Sequence, residues 1–152
     1  MLVFRLSREK YASELLGIGA SKSGNRWNSK GTEIIYCADS RALAMAEVSV
    51  HLSLATLPKD FVMLEINIPK TVTIEVLNKK ILPENWNLFP HTDKTQKRGD
   101  AFVYSKKRCV LKVPSAVVKG DFNYLINPCH KDFKKIKIIN SYNFPFDDRL
   151  FL

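Results

Sequence analysis

Glu47 is the residue whose setting in this chain points most clearly to chemistry. It lies within residues 40–54, a largely apolar stretch with the spacing of a helix, on the stripe formed by Leu43, Val50 and Leu54. A carboxylate on a stripe that faces a core is costly unless it is paired or hydrogen-bonded. The pattern therefore indicates a site that needs an anion beside a ligand, or a structural glutamate bonded to His51 one turn later.

Arg26 and Tyr36 are the next candidates, both upstream of the predicted helix. A guanidinium offers phosphate oxygens a planar fork of donors, which an ammonium group does not. Arg26 also follows a loop rich in Gly, Ser and Asn, residues 17–25, whose backbone N–H groups could face an anion. The structural alternatives are a surface arginine stacked on Trp27 and a half-buried strand tyrosine.

Alternating and helical patterns predict the elements that must position these side chains. We predict strands over 2–6, 33–38, 61–68, 71–77, 108–113 and 135–139. We predict helices over 8–16, capped by Ser7, and over 40–54, capped by Asp39 or Ser40. Residues 17–25 and 79–100 are expected to be loops, the second with one helical turn, and 102–106 is helix or loop. This order predicts one α+β domain over residues 1–152, with mainly antiparallel β-sheets and helices packed on them.

The bulk composition excludes several classes of protein. A hydrophobic content of 45% argues against disorder, and no apolar run approaches the length of a membrane span. The chain shows no signal-peptide pattern, and its three cysteines are too far apart for a CxxC metal site, so we expect a cytoplasmic protein with reduced thiols. The three histidines show no metal spacing, and no metal is expected.

The positive charge is concentrated in one segment. Residues 94–137 hold twelve Lys/Arg and three acidic residues, so this segment carries the whole net charge of +9. Such a segment indicates an acidic partner, a polyphosphate ligand or a solubilising surface. It lacks the interleaved aromatics of a single-strand binder and a readable helix-turn-helix, so direct binding of nucleic acid is not expected.

Several motifs, taken in order, resemble the RES domain family, named for its Arg, Glu and Ser residues. They run nearly end to end and comprise Arg26-Trp27-Asn28 with Gly31 and Tyr36; Ala42-Leu43-Ala44 with Glu47-Val48 and Val50-His51-Leu52; Thr95-Gln96 with Gly99-Asp100; Val113-Pro114-Ser115-Ala116-Val117-Val118; Asn123-Tyr124-Leu125-Ile126-Asn127-Pro128 with His130 and Asp132-Phe133; and Phe146-Asp147-Asp148-Arg149-Leu150. The chain departs from the family at Asn25, where Gly is usual, and at Ala101-Phe102, where an aromatic more often follows Gly-Asp directly.

The resemblance implies an ADP-ribosyltransferase-like fold and the toxin of a type II toxin–antitoxin pair that consumes NAD+ by hydrolysis or phosphorolysis of the nicotinamide bond. It implies an Xre-type antitoxin with a helix-turn-helix domain, and it allows a homodimer within the complex. Members of one branch instead transfer ADP-ribose to a nucleotide-synthesis enzyme, which is the alternative activity for this chain. A basic nucleic-acid-binding module is the alternative from another class.

The resemblance also gives the candidate residues roles toward NAD+. Glu47 would stabilise the sugar cation, and Arg26 would bind the pyrophosphate. Tyr36 would stack on nicotinamide or bond the ribose, with Trp27 in the same binding set. Ser115 is expected to hydrogen-bond the ligand rather than attack it, because no base is identifiable beside it. Asn127, before Pro128, either touches the ligand or shapes a turn, and the turn is favoured.

Overall fold

A single seven-stranded sheet organises the chain in the computed structural model, which describes residues 1–151. The strands are β1 (Leu2–Arg8), β2 (Ile35–Ala38), β3 (Phe61–Asn67), β4 (Ile74–Val76), β5 (Val110–Pro114), β6 (Phe122–Ile126) and β7 (Lys137–Asn143). Their order across the sheet is β4-β5-β6-β2-β1-β3-β7. Only the β4–β5 pair is parallel among the described strands, so the expected α+β class with mainly antiparallel pairing is confirmed.

The described chain has α-helices at α1 (Ile18–Ser23), α2 (Arg41–Ser49) and α3 (Asp93–Ser105). Ser40 caps α2, because its side-chain oxygen accepts a hydrogen bond of 3.0 Å from the backbone N–H of Leu43. None of the helices in residues 1–151 is long and apolar enough to cross a membrane.

Two predictions near the N-terminus, a helix and a loop, are wrong. The helix over 8–16 is absent, because β1 continues through Ser7 and Arg8, which pair with β3, and only a short 3-10 turn follows. Ser7 is therefore a strand residue and not a cap. The expected loop over 17–25 instead contains α1. Pairing with a distant strand overrode the local helical pattern in the first case.

The second half of the chain also departs from the sequence prediction. Most of α3 lies where a loop was expected. Its buried positions are Thr95, Gly99, Phe102 and Val103, and because two of these are small or polar, they do not form a continuous apolar helical pattern. Strand β6 was not predicted at all. Strand β4 is shorter than predicted, and its Val76 is 63% exposed.

The side chains of β2 alternate between the two faces of the sheet and locate the site. Ile35 and Cys37 belong to the apolar core on one face. Ala38 packs on the other face with the cluster that includes α2, and Tyr36 packs with the cluster that includes α3. Helices α2 and α3 therefore cover the same face of the sheet, one on each side of Tyr36.

Candidate active site

A cavity of about 860 Å³ opens on this face of the sheet, and Arg26, Tyr36 and Glu47 all line it. Its wall also includes Trp27 and Asn123. Concave sites of this size commonly hold small ligands or cofactors. The structure therefore brings together the three side chains that the sequence singled out.

Glu47 is held at the cavity by two hydrogen bonds to one of its carboxylate oxygens. Oε1 accepts bonds of 2.7 Å from Ser115 Oγ and 2.6 Å from Asn123 Nδ2. Oε2 has no hydrogen-bond partner within residues 1–151. The carboxylate is thus fixed in orientation through one oxygen and leaves the other for a ligand.

The setting of Glu47 differs from the apolar stripe expected from the sequence. Helix α2 ends at Ser49, and Val50 and Leu54 are 58% and 45% exposed, so the buried part of the stripe reduces to Leu43. His51, the expected structural partner, lies on the cavity wall and makes no bond to Glu47 in the described chain. Glu47 is half-buried beside a cavity, not inside a core.

The Ser115 side chain donates a hydrogen bond to Glu47 and accepts hydrogen bonds from the backbone of the turn that follows it. Its Oγ accepts bonds from the backbone N–H groups of Val117 (3.1 Å) and Val118 (2.9 Å) while donating to Glu47. Ser115 is buried at the end of β5 and does not line the cavity. The structure therefore gives Ser115 a contact with the carboxylate where a contact with the ligand was expected.

Asn123 is a site residue that sequence reasoning did not assign. It lies in β6, whose other residues are mainly apolar, and its side chain reaches Glu47. A buried amide in an apolar strand needs a partner, and that was the available signal. The signal was not used because β6 itself was not predicted.

Arg26 lies between Glu47 and a loop that precedes α3. Its Nη1 donates to the backbone carbonyls of Trp86 (2.7 Å) and Leu88 (3.1 Å). Its Nε and Nη2 have no hydrogen-bond partner in the described chain. Burial lowers the pKa of the Arg26 guanidinium, and the negative charge of Glu47 opposes this effect. An arginine remains charged under these conditions, so donors remain for an anion.

The loop that carries Arg26 is organised around the buried side chain of Asn28. Nδ2 of Asn28 donates to the carbonyls of Ala20 (2.9 Å) and Thr32 (3.0 Å), and Oδ1 accepts a bond of 2.6 Å from the Tyr36 hydroxyl. The same hydroxyl accepts a bond of 3.1 Å from the backbone N–H of Trp27. Burial raises the pKa of the Tyr36 phenol. Because its hydroxyl is occupied, Tyr36 offers the cavity its ring.

Helix α3 supports this loop from behind. Gln96 Nε2 donates to the carbonyls of Asn25 (3.0 Å) and Asn28 (3.2 Å), and Asp100 accepts bonds from the backbone and side chain of Ser29. Gly99 packs directly on the backbone of Trp27. The Gly99-Asp100 pair quoted for the family resemblance therefore positions the segment that bears Arg26.

Two candidate binding residues contribute less surface to the cavity than expected. The side chain of Trp27 is packed in the core beside Trp86, with ring centroids 6.0 Å apart, and Trp27 is only 2% exposed. Asn127 is fully buried and lies outside the cavity wall. Its Nδ2 donates to Val103 and its Oδ1 accepts from the N–H of Cys129, so it shapes a turn.

The remaining reactive groups near the site are weak nucleophiles or lie elsewhere. Cys37 borders the cavity, but its side chain belongs to the core on the opposite face of the sheet, and burial raises the pKa of its thiol to about 12. None of the basic residues of segment 94–137 lines the cavity in the described chain. Residues 1–151 contain no group of three or more His, Cys, Asp or Glu side chains placed to hold a metal ion.

Comparison with known proteins identifies the family. The model of the RES domain matches residues 2–147. The chain belongs to the RES domain family. Among its relatives, a protein named "Prs ADP-ribosylating toxin" from Sphingobium is 37% identical over 146 residues, covering 95% of this chain and 91% of the relative. A "Toxin Res" from Photorhabdus laumondii is 37% identical over 152 residues, covering 99% of this chain and 97% of the relative.

A solved structure supports the fold of this RES domain. The match is to the crystal structure of the Mycobacterium tuberculosis MbcT–MbcA toxin–antitoxin complex, with a TM-score of 0.72 at 17% identity, covering 99% of this chain and 86% of the matched chain. The expected α+β fold is confirmed.

Proposed function

We propose that this RES domain protein is the toxin of a toxin–antitoxin pair and that it cleaves the bond between nicotinamide and ribose in NAD+. The observation that carries the proposal is the Glu47 carboxylate, which lies in the same cavity as Arg26. Ser115 and Asn123 hold it through one oxygen, and the other oxygen has no hydrogen-bond partner within residues 1–151. Family membership and the names of the relatives support the toxin role.

The proposed chemistry needs negative charge next to a developing sugar cation. Cleavage of an N-glycosidic bond passes through an oxocarbenium-like state, as glycoside cleavage does. Nicotinamide leaves as a neutral molecule, so a general acid is not needed. A carboxylate whose orientation is set before the reaction stabilises such a cation and can accept hydrogen bonds from the ribose hydroxyls. Oε2 of Glu47 takes this role.

Arg26 takes the pyrophosphate in the same proposal. Its Nη1 is tied to two loop carbonyls, which fixes the plane of the guanidinium, and its Nε and Nη2 remain for phosphate oxygens. Tyr36 lines the same cavity, where its ring packs against the ligand in this proposal while its hydroxyl donates a hydrogen bond to Asn28. Ser115 and Asn123 position the carboxylate.

The acceptor of ADP-ribose can be water, phosphate or a protein. The second candidate function is transfer to a protein, and it is favoured by the relative named an ADP-ribosylating toxin. All three reactions share the sugar cation and differ only in the incoming nucleophile. The same residues therefore serve in each case, and product analysis separates the reactions.

An antitoxin is the proposed protein partner, expected to be of the Xre type. The similar fold comes from a toxin–antitoxin complex, which supports a partner of this kind. The basic residues of segment 94–137 that the structure describes lie outside the cavity wall, so their positive charge is available to an acidic partner.

The test is to incubate the purified protein with NAD+ and to quantify nicotinamide by chromatography, with and without phosphate. Mass spectrometry then assigns ADP-ribose to water, to phosphate or, after addition of cell lysate, to a protein. We expect nicotinamide release that Glu47→Gln reduces by about a hundredfold or more. Glu75→Gln, an exposed change on β4, is the matched control and should leave release unchanged. Intact NAD+ under all of these conditions would reject the proposal.

A further inference from the structure

The loop before α3 forms the outer wall of the cavity and faces it with alternate residues. Asn87, Phe89 and His91 line the cavity, whereas Leu88 does not. This loop therefore presents one strip of side chains to the ligand space.

Phe89 stands out in this strip because it is 81% exposed, more than any other large apolar side chain in the described chain. Single exposed apolar residues are common on protein surfaces. This one lies on the wall of a ligand cavity, where an aromatic face can stack on a flat ring.

The loop that carries Phe89 is anchored on the side that precedes it. Arg26 bonds the carbonyls of Trp86 and Leu88, which precede Phe89, and the ring of Trp86 packs against Trp27. His91, two residues later, lines the same cavity, and its Nδ1 is buried without a hydrogen-bond partner in the described chain. A buried ring nitrogen without a partner is unusual, and a polar group of a ligand would satisfy it. Phe89 is thus presented by a held loop, which lowers the entropy lost when it binds.

We propose that Phe89 is the stacking surface for the adenine ring of the dinucleotide. The proposal rests on the proposed function, because it takes the nicotinamide ribose to lie at Glu47 and the pyrophosphate at Arg26. The loop is bonded directly to Arg26, and none of its residues bonds Glu47 within residues 1–151. A dinucleotide that passes from Glu47 over Arg26 therefore continues onto this loop, where Phe89 meets its second base.

The test compares two probes that share one ribose phosphate: ADP-ribose carries adenine and lacks nicotinamide, and nicotinamide mononucleotide carries nicotinamide and lacks adenine. Binding of ADP-ribose and of nicotinamide mononucleotide is measured by calorimetric or NMR titration in the Glu47→Gln background, which prevents turnover in the parallel NAD+ titration. Loss of base stacking typically weakens binding by roughly 5- to 100-fold. We expect Phe89→Ala to weaken ADP-ribose by this factor and to leave nicotinamide mononucleotide unchanged, and we expect Phe89→Trp to restore the affinity for ADP-ribose.

The matched control is Tyr11→Ala, which removes an exposed aromatic (57%) that lies outside the cavity wall. It should change neither affinity. Unchanged ADP-ribose binding in Phe89→Ala would overturn the inference while the proposed function stands. Equal weakening of both probes would place Phe89 against the ribose phosphate that they share, and weakening of nicotinamide mononucleotide alone would place it against nicotinamide; either result would also overturn the inference. Absence of binding by the parent variant, together with absence of NAD+ cleavage by the wild type, would reject the proposed function and this inference with it.

Discussion

Gly99→Ala is the substitution that most sharply tests how α3 positions the site. A Cβ at Gly99 would lie 1.6 Å from the carbonyl oxygen of Trp27, 2.6 Å from its carbonyl carbon and 3.2 Å from its Cα. All three are backbone atoms, so a change of side-chain rotamer cannot relieve the overlap. The first distance is far below the 3.0 Å that real Cβ contacts respect. Either α3 or the segment that bears Arg26 must move by more than an ångström.

The overlap sets the size of the expected effect. Overpacking in a well-packed region typically costs about 1–3 kcal/mol and more when the surroundings cannot yield. Because backbone opposes backbone here, we expect Gly99→Ala to lower the free energy of unfolding by about 3 kcal/mol, which lowers the urea midpoint by roughly 1.5 M for a slope of about 2 kcal/mol/M. Movement of Arg26 by about 1 Å should also reduce turnover, by up to about a hundredfold.

The assay is urea unfolding followed by circular dichroism, together with nicotinamide release by the folded fraction. The control for stability is Gly19→Ala in α1, where an added Cβ meets nothing within 4 Å. That change should be neutral or stabilising by up to about 1 kcal/mol, because alanine favours helices over glycine. A Gly99→Ala protein as stable and as active as the wild type would refute the packing of α3 on the Arg26 segment.

Further predictions concern the carboxylate, the cavity histidine and the buried amide. Ser115→Ala should slow nicotinamide release by about tenfold, because the Glu47 carboxylate loses one hydrogen-bond donor. Ser141→Ala, at an exposed position, is the control and should leave the rate unchanged. Equal rates of release by the two variants would contradict the positioning role of Ser115. Burial and the nearby Arg26 lower the pKa of His91 from its usual 6.5. As the pH falls below about 6.5, the unfolded state therefore binds a proton at His91 more readily than the folded state does, and the free energy of unfolding decreases. His91→Asn should therefore make the free energy of unfolding depend less steeply on pH between about pH 5 and pH 7. Equal pH dependence in His91→Asn and the wild type would contradict the lowered pKa of His91. Asn28→Asp should lower the free energy of unfolding by about 3 kcal/mol, because a carboxylate oxygen would replace the Nδ2 group that donates to the carbonyls of Ala20 and Thr32. Asn140→Asp, at an exposed position, should change it little in the same urea titration.

The sequence predicted best where local patterns and burial agree. The alternation of 61–68 corresponds to β3, which places Leu64 and Ile66 on one face and Phe61 and Met63 on the other. Ser40 was one of two predicted caps of α2 and is the observed one. These features depend on neighbouring residues and on one periodicity, which a single sequence contains.

The sequence predicted the cavity residues better than their contacts. Glu47, Arg26 and Tyr36 share one cavity, as predicted. However, the Ser115 hydroxyl donates a hydrogen bond to the Glu47 carboxylate, and the Tyr36 hydroxyl donates one to Asn28. These contacts join residues 68 and 8 positions apart, and they depend on how β5, β6 and α2 meet. Local composition does not contain that geometry, which explains why the site residues were predicted and the hydrogen bonds between them were not.

The central claim is that Glu47 and Arg26 hold one dinucleotide between them, and a crystal structure of Glu47→Gln with NAD+ tests it most directly. The account predicts electron density for NAD+ in the cavity, with the nicotinamide ribose hydroxyls within about 3 Å of the side chain at position 47 and the pyrophosphate on Arg26. NAD+ bound elsewhere on the protein, or in the cavity with its ribose away from position 47, would contradict it.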